Sequence, residues 1–192
     1  TRQLRSHLGL RKPLESYHEH AEREKAEVLI GRLRQGARVA LVSDAGVPGI
    51  SDPGAHLVAR AWDEGIRIIP IPGPSALVCA LSVAGLEAPQ FMFAGYPPRA
   101  GSERRAFYRR LAGLTVPVVI YETPHRLRAS LQDAAAELGQ GRVALVAREM
   151  TKQFEQYQRG PLGELLHYWE QAEPVGEFTL VFAPADKAET PR

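Results

Sequence analysis

A single cysteine, Cys79, is present among the 192 residues, and it lies in the apolar run Ala76-Leu77-Val78-Cys79-Ala80-Leu81. One thiol excludes an internal disulfide framework and a cysteine-based zinc site, and it fits a reducing cytoplasm. A strong excess of charge is also lacking. The 24 Lys and Arg against 22 Asp and Glu leave a formal +2, so the chain is not a polycation that coats nucleic acid, and any polyanion site must be local. No apolar stretch has the length of a bilayer span, and no basic-then-apolar signal sequence opens the chain. Histidine pairs at ligand spacing are missing and the scattered carboxylates do not form a cage pattern, so no metal is expected. There is no Gly-x-x-x-x-Gly-Lys-Ser/Thr phosphate loop, no Gly-x-Gly-x-x-Gly after a strand and no Gly-x-Ser-x-Gly elbow. Kinase, dinucleotide-binding and serine-hydrolase readings thereby lose their main support.

What the sequence does have is alternation. Apolar Ala21, Ala26, Leu29, Ile30 and Leu33 recur at helical spacing before Gly36. The short apolar run 38–42 then reads as a strand ending in Ser43-Asp44-Ala45-Gly46. Residues 55–64 read as a helix capped by Gly65, 66–71 as a second strand ending in Pro72-Gly73-Pro74, and 75–84 as a helix. This order predicts an α/β lobe over residues 1–88 with a largely parallel sheet covered on both faces. A second lobe is expected over 89–184. It has strands at 91–95, 116–121 and 143–147, an extended segment at 154–159, a last strand at 177–182, and helices at 102–110, 124–138 and 162–170. A mobile tail follows from 185. Thr1 is not an initiator methionine and 2–10 reads like the tail of a helix, which suggests a further piece upstream.

In parallel α/β sheets, ligands bind beyond the carboxyl ends of strands, where loops converge. Two glycine-proline loops, 43–54 and 72–76, follow successive predicted strands. Glycine admits close backbone approach, proline stiffens the turn, and Asp44 and Asp52 offer carboxylates to hydroxyl or ammonium groups. Such loops suit a nucleoside with a charged tail; equally, they are ordinary turns with Asp52 as the N-cap of the helix after Pro53. In the second half, Tyr121-Glu122-Thr123-Pro124-His125-Arg126 and Arg148-Glu149-Met150-Thr151-Lys152 gather charge at strand ends. Arg126 and Arg148 also read simply as ion-pair partners of Glu122 and Glu149, and His125 as a surface or capping histidine.

These words in this order, with Leu41-Val42-Ser43-Asp44-Ala45-Gly46-Val47-Pro48, Ile50-Ser51-Asp52-Pro53-Gly54 and Ile71-Pro72-Gly73-Pro74-Ser75-Ala76, resemble the ribosomal RNA small-subunit 2′-O-methyltransferase family within the tetrapyrrole methylase superfamily. The resemblance runs from Thr1 to about Pro184. It implies two α/β lobes with S-adenosyl-L-methionine in the cleft between them, a homodimer, and methyl transfer to a cytidine ribose 2′-oxygen in the decoding region of small-subunit ribosomal RNA. Carried over by position, Ser43, Asp44, Ala45, Gly46 and Ile50 match the first cofactor loop, and Ser75 and Ala76 the methionine end. Tyr121, Glu122, Met150, Phe178 and Thr179 match stretches around the adenosine. Family members begin with a strand and a Gly-Thr-Pro-Ile-Gly-Asn-like loop upstream of this chain's start, and they carry a C-terminal helical extension.

A ribose hydroxyl is a weak acid, so a carboxylate that takes its proton or a cation that stabilises the alkoxide would help. Glu122, Glu149 and Lys152 are the catalytic candidates, in that order. For RNA, the basic stretch with Arg99, Arg104, Arg105 and Arg109, joined by Arg126 and Arg148, could grip phosphates while Tyr96 or Tyr108 stacks on a base. The same stretch also reads as a solvated helix face. Two other functions stay open: methylation of a tetrapyrrole, whose carboxylates could meet the same arginines, and binding of RNA or a nucleoside without turnover.

Overall fold

The computed structural model describes residues 2–18, 21–43 and 46–185. The chain divides into two compact units, Thr1–Ser75 and Ala76–Arg192. The break lies upstream of the lobe boundary expected near residue 88, and the helix that follows Ser75 packs with the second unit. Expectations that fall on Asp44, Ala45 and the tail beyond 185 lie outside the described residues.

The first unit contains helices α1 (Arg2–His7), α2 (Glu22–Arg34) and α3 (Ala55–Asp63). α2 and α3 pair through buried Ala26, Ile30, Leu57 and Ala61, with Leu29, Leu33, Ile66 and Ile68 packed alongside. The expected strands at 38–42 and 66–71 do not form ladders among the described residues. Ile66 and Ile68 face the helices while Ile69 and Ile71 are exposed. That alternation is what an extended segment with one buried face records. A strand further requires a neighbour to take its N–H and C=O groups, and a hydrophobic pattern does not report one.

The second unit holds the sheet. Its elements are α4 (Ala76–Val83), β1 (Met92–Phe93), α5 (Gly101–Leu111), β2 (Val118–Glu122), α6 (Leu127–Leu138), β3 (Val143–Arg148), β4 (Gln156–Pro161), α7 (Leu162–Gln171) and β5 (Phe178–Phe182). The strand order is β1-β2-β5-β3-β4. Among the described residues only β1 and β2 pair in parallel; β5 runs antiparallel to both β2 and β3, and β4 antiparallel to β3. The sheet is mixed: β3 and β4 are joined by a loop with no crossover helix and so pair antiparallel.

The pleat sends alternate residues to opposite faces. Val119, Leu145, Ala147 and Val181 meet α4 on one face, where Ala80 and Ala84 permit close approach. Val118, Ile120, Ala144, Val146, Phe178, Leu180 and Phe182 join α5, α6 and α7 on the other. α6 illustrates the match between sequence and packing. Its buried Leu127, Ser130, Leu131, Ala134, Ala135 and Leu138 fall at helical spacing, and Gly139 ends it with φ 97°. β4, Gln156-Tyr157-Gln158-Arg159-Gly160-Pro161, is a polar edge strand closed by proline, a composition that discourages further pairing.

Candidate functional site

In the first unit, the glycine-rich loop is shaped by backbone requirement. Gly46, Gly49 and Gly54 have φ of 70°, 82° and 145°, and Ser51 joins them at 56°. A Cβ on Gly54 would lie 2.7 Å from Leu41 Cδ2, so both conformation and space call for glycine. Asp52 accepts a hydrogen bond from the Ser43 hydroxyl and does not cap α3. That task falls to Glu22, whose Oε1 accepts from the N–H groups of Gly54 (2.9 Å) and His56 (3.3 Å). Of the cofactor candidates in this loop, Gly46 and Ile50 are exposed; Ser75 and Ala76, at the head of α4, are half-buried. Glu22 was not legible as a cap because it lies 32 residues from Gly54.

In the second unit, the two charged words converge. β2 and β3 both end where β5 begins, so Glu122, Phe178 and Arg148 form one row across the sheet, and Tyr121, Thr179 and Ala147 the next. The rows face opposite sides. Tyr121 and Thr179 share the α4 face, with Met150 packed on the same cluster. Phe178 lies beneath α7 against Trp169, ring centroids 5.2 Å apart. Five residues matched as one adenosine-lining set are therefore divided by the pleat, and only those on one face can present side chains to the same ligand.

Glu149 sits in the left-handed region with φ 49°, and Thr151 follows at 64°. Such backbone is costly for non-glycine residues and persists where surroundings over-determine it. Here they do. Glu149 N–H donates to the Glu177 carbonyl (2.9 Å), and Glu149 Oε1 accepts from Glu177 N–H (2.8 Å) and from Lys152 Nζ (2.9 Å). Lys152 Nζ also donates to Glu177 Oε2 at 2.9 Å. The Lys152 ammonium and then the Glu177 N–H hold the Glu149 carboxyl below the usual range, and the Glu177 carboxylate raises Lys152. A carboxylate so held is a weaker proton acceptor than a free one. Arg148 does not pair with Glu149; its Nε donates to the Val175 carbonyl at 2.7 Å.

The Glu122 side chain is fully enclosed. Its Oε1 accepts from Thr123 N–H (2.7 Å) and pairs with Arg126 Nη2 (2.8 Å), while Oε2 is buried without a hydrogen-bond partner. Arg126 in turn donates from Nη1 to the Pro97 carbonyl at 3.0 Å. Arg104 repeats the arrangement one element away: its Nε meets Asp133 Oδ2 at 2.7 Å and its Nη1 the Arg99 carbonyl at 3.3 Å. Arg109 pairs with Glu137 at 2.8 Å. Arg99 and Arg105 are exposed and form no ion pair among the described residues. His125 is exposed.

Tyr108 is 0% exposed, with its hydroxyl on Ser130 Oγ at 2.5 Å; it cannot stack on a base. Its place four residues after Arg104 puts it in the α5 core stripe with Phe107 and Leu111. Tyr96, by contrast, is 49% exposed. Its ring lies 5.7 Å from that of Tyr121, which in turn rests 4.8 Å from Phe93. This aromatic group was only half legible in the sequence, because Tyr121 lies in a different segment from Phe93 and Tyr96.

Among the described residues no group of three or more His, Cys, Asp or Glu is placed to hold a metal ion, and no helix is long and apolar enough to cross a membrane.

The family of tetrapyrrole (corrin/porphyrin) methylases matches the chain over residues 2–166. The ribosomal RNA small subunit methyltransferase I of Synechocystis sp. is 42% identical over 191 residues, which span 100% of this chain and 68% of that protein. Its namesake in Escherichia coli O157:H7 is 41% identical over 180 residues, 93% of this chain and 63% of the relative. That of Pseudomonas aeruginosa is 46% identical over 166 residues, 86% and 58%. The chain thus spans about two thirds of the length of these relatives. Among solved structures, the methyltransferase CobJ matches with a TM-score of 0.63 at 20% identity, covering 94% of this chain and 76% of that one. Diphthine synthase matches with a TM-score of 0.63 at 15% identity, covering 95% and 73%. At such identities these two speak for the fold alone.

Proposed function

The chain belongs to the tetrapyrrole methylase family and, within it, to the ribosomal RNA small subunit methyltransferases I, and from that premise we propose that it methylates the 2′-oxygen of a cytidine ribose in small-subunit ribosomal RNA with S-adenosyl-L-methionine. The observation that carries the reading is the 42% identity sustained over the full chain. The reading includes action on the decoding region as a cytoplasmic homodimer.

The residues at the converging strand ends fit an adenosine. Tyr121 offers a half-buried ring, Met150 a polarizable thioether, and Thr179 a small side chain between Tyr121 and Ala147. In the first unit, the loop around Ser43, Gly46 and Ile50 offers backbone that glycine opens to close approach by a ligand; Ser75 ends that unit, and Ala76 opens α4. When bound, the cofactor supplies an activated methyl group on a sulfonium. In-line attack by a ribose oxygen then depends chiefly on orientation. We place Glu122, Glu149 and Lys152 in that reaction as the groups that hold the two loops. Glu122 fixes Thr123 and Arg126, whereas Glu149 and Lys152 fix the turn that carries Met150.

Transfer of tritiated methyl from S-adenosyl-L-methionine to small ribosomal subunits lacking this modification tests the reading, with the product mapped by ribose-methylation sequencing. Label in a cytidine 2′-O-methyl group is the expected result. Label only in a tetrapyrrole acceptor offered in parallel would overturn it.

A further inference from the structure

The segment 95–100 is held by unusual means. Gly95 begins it with φ 68°, and its carbonyl accepts from Tyr121 N–H at 3.0 Å. Further along, the Pro97 and Arg99 carbonyls are each taken by an arginine that a carboxylate anchors from behind, Glu122 behind Arg126 and Asp133 behind Arg104. Arg104 N–H bonds the Ala100 carbonyl at 2.8 Å as α5 begins. Two consecutive prolines, Pro97 and Pro98, restrict what remains. The Gly95, Pro97, Arg99 and Ala100 carbonyls are therefore tied, which holds the loop in place before any ligand arrives.

What this segment presents is Tyr96, half exposed and backed by Tyr121 and Phe93. Arg99 follows it on the same loop and Arg105 lies in the first turns of α5; both are exposed and in no ion pair among the described residues. An aromatic face with unneutralised guanidinium groups is complementary to a base and its phosphates. Preorganisation lowers the ordering cost of binding.

Building on the RNA reading above, we propose that residues 95–100 form a fixed platform on which Tyr96 stacks an unpaired nucleobase of the RNA substrate, with Arg99 and Arg105 receiving the adjoining phosphates. Arg104 and Arg126 are positioning residues for the platform and do not themselves grip RNA. The segment recognises single-stranded RNA over duplex, because a paired base has no free face to offer.

The test measures binding of a fluorescein-labelled oligocytidylate and of a labelled RNA duplex to the full chain, alongside calorimetry with S-adenosyl-L-methionine and steady-state methylation of small subunits. Tyr96→Ala should weaken oligocytidylate binding about ten-fold, leave duplex binding and cofactor affinity unchanged, and raise KM for subunits with kcat retained. Tyr96→Phe, which keeps the ring, should restore binding. Undiminished oligocytidylate binding by Tyr96→Ala would overturn the platform even though the RNA reading stood. An equal loss of cofactor affinity would assign Tyr96 to the cofactor instead and overturn it as well. If the unaltered chain bound neither the oligonucleotide nor small subunits, the RNA reading itself would fall, and the platform with it.

Discussion

Gly176 leaves open the space that the Glu149 side chain fills: a Cβ at 176 would come within 2.6 Å of Glu149 Oε1, and Gly176 has φ 96°. Neither the neighbour nor the backbone accommodates alanine, since Glu149 is held by Lys152 and by Glu177 N–H. Gly176→Ala should cost about 1–3 kcal/mol from strain and overpacking. Thermal denaturation reads the stability. Because the displaced turn carries Met150, calorimetry should also find weaker binding of S-adenosyl-L-methionine. An unchanged melting temperature would mean that Glu149 relocates freely.

The same cluster predicts an acid response. The folded state depresses the Glu149 carboxyl, so its contribution is present above the unfolded carboxylate range and is lost as pH falls through the folded value. Lys152 is raised, so its contribution is full below the ordinary lysine value and is lost only as pH rises through the folded one. Across neutral pH the cluster stays closed, and it opens in acid. Glu149→Gln should flatten the acid limb of the stability profile obtained by thermal unfolding from neutral pH downward. Identical acid limbs in both proteins would assign that limb to other carboxylates.

The arginines of the basic stretch should separate by experiment. Arg104→Ala removes the partner of a nearly buried Asp133 and releases the Arg99 carbonyl, so it should lower stability by about 3 kcal/mol. Arg105→Ala removes an exposed charge without an ion pair, so it should leave stability within about 0.5 kcal/mol and reduce the salt dependence of RNA binding by about one counterion. Melting curves and binding isotherms at several salt concentrations distinguish the two. A flattened salt slope in Arg104→Ala with an unaltered melting temperature would reverse the assignment.

Glu22 offers a check on the first unit. Its carboxylate satisfies two N–H groups at the start of α3 from the first turn of α2. Glu22→Ala should cost about 1 kcal/mol, the typical worth of a helix cap. It should also speed amide hydrogen exchange at Gly54 and His56 more than in the rest of α3. Uniform acceleration across the helix would point to lost packing instead.

Residues buried at regular spacing were legible in the sequence. The stripes of α5, α6 and α7 and the apolar runs of β3 and β5 carry their periods openly, and their boundaries shifted by only a few residues. Pairing was not legible. The pattern at 66–71 is that of a strand, yet burial of alternate residues says nothing about who stands alongside. The candidate site was legible as words and opaque as geometry. Tyr121 and Glu122 are adjacent in sequence and face opposite sides of the sheet, while Glu149 and Gly176 are 27 residues apart and in contact. Among the arginines, composition reports charge but not commitment. Arg104 and Arg105 are neighbours, one closed against Asp133 and the other open to water.

The position of β5 governs how the second unit comes into being. Of the described strands, the last in sequence is the middle strand of the sheet, bonded to β2 on one side and β3 on the other. As the chain emerges from the ribosome, β1–β2 and β3–β4 can each pair, but each exposes an apolar edge until Phe178–Phe182 arrives to join them. Closure is thus late, long-range and all at once. Any pause in synthesis before Phe178 leaves two sticky half-sheets, the state in which nascent chains are most prone to aggregate and most in need of a chaperone.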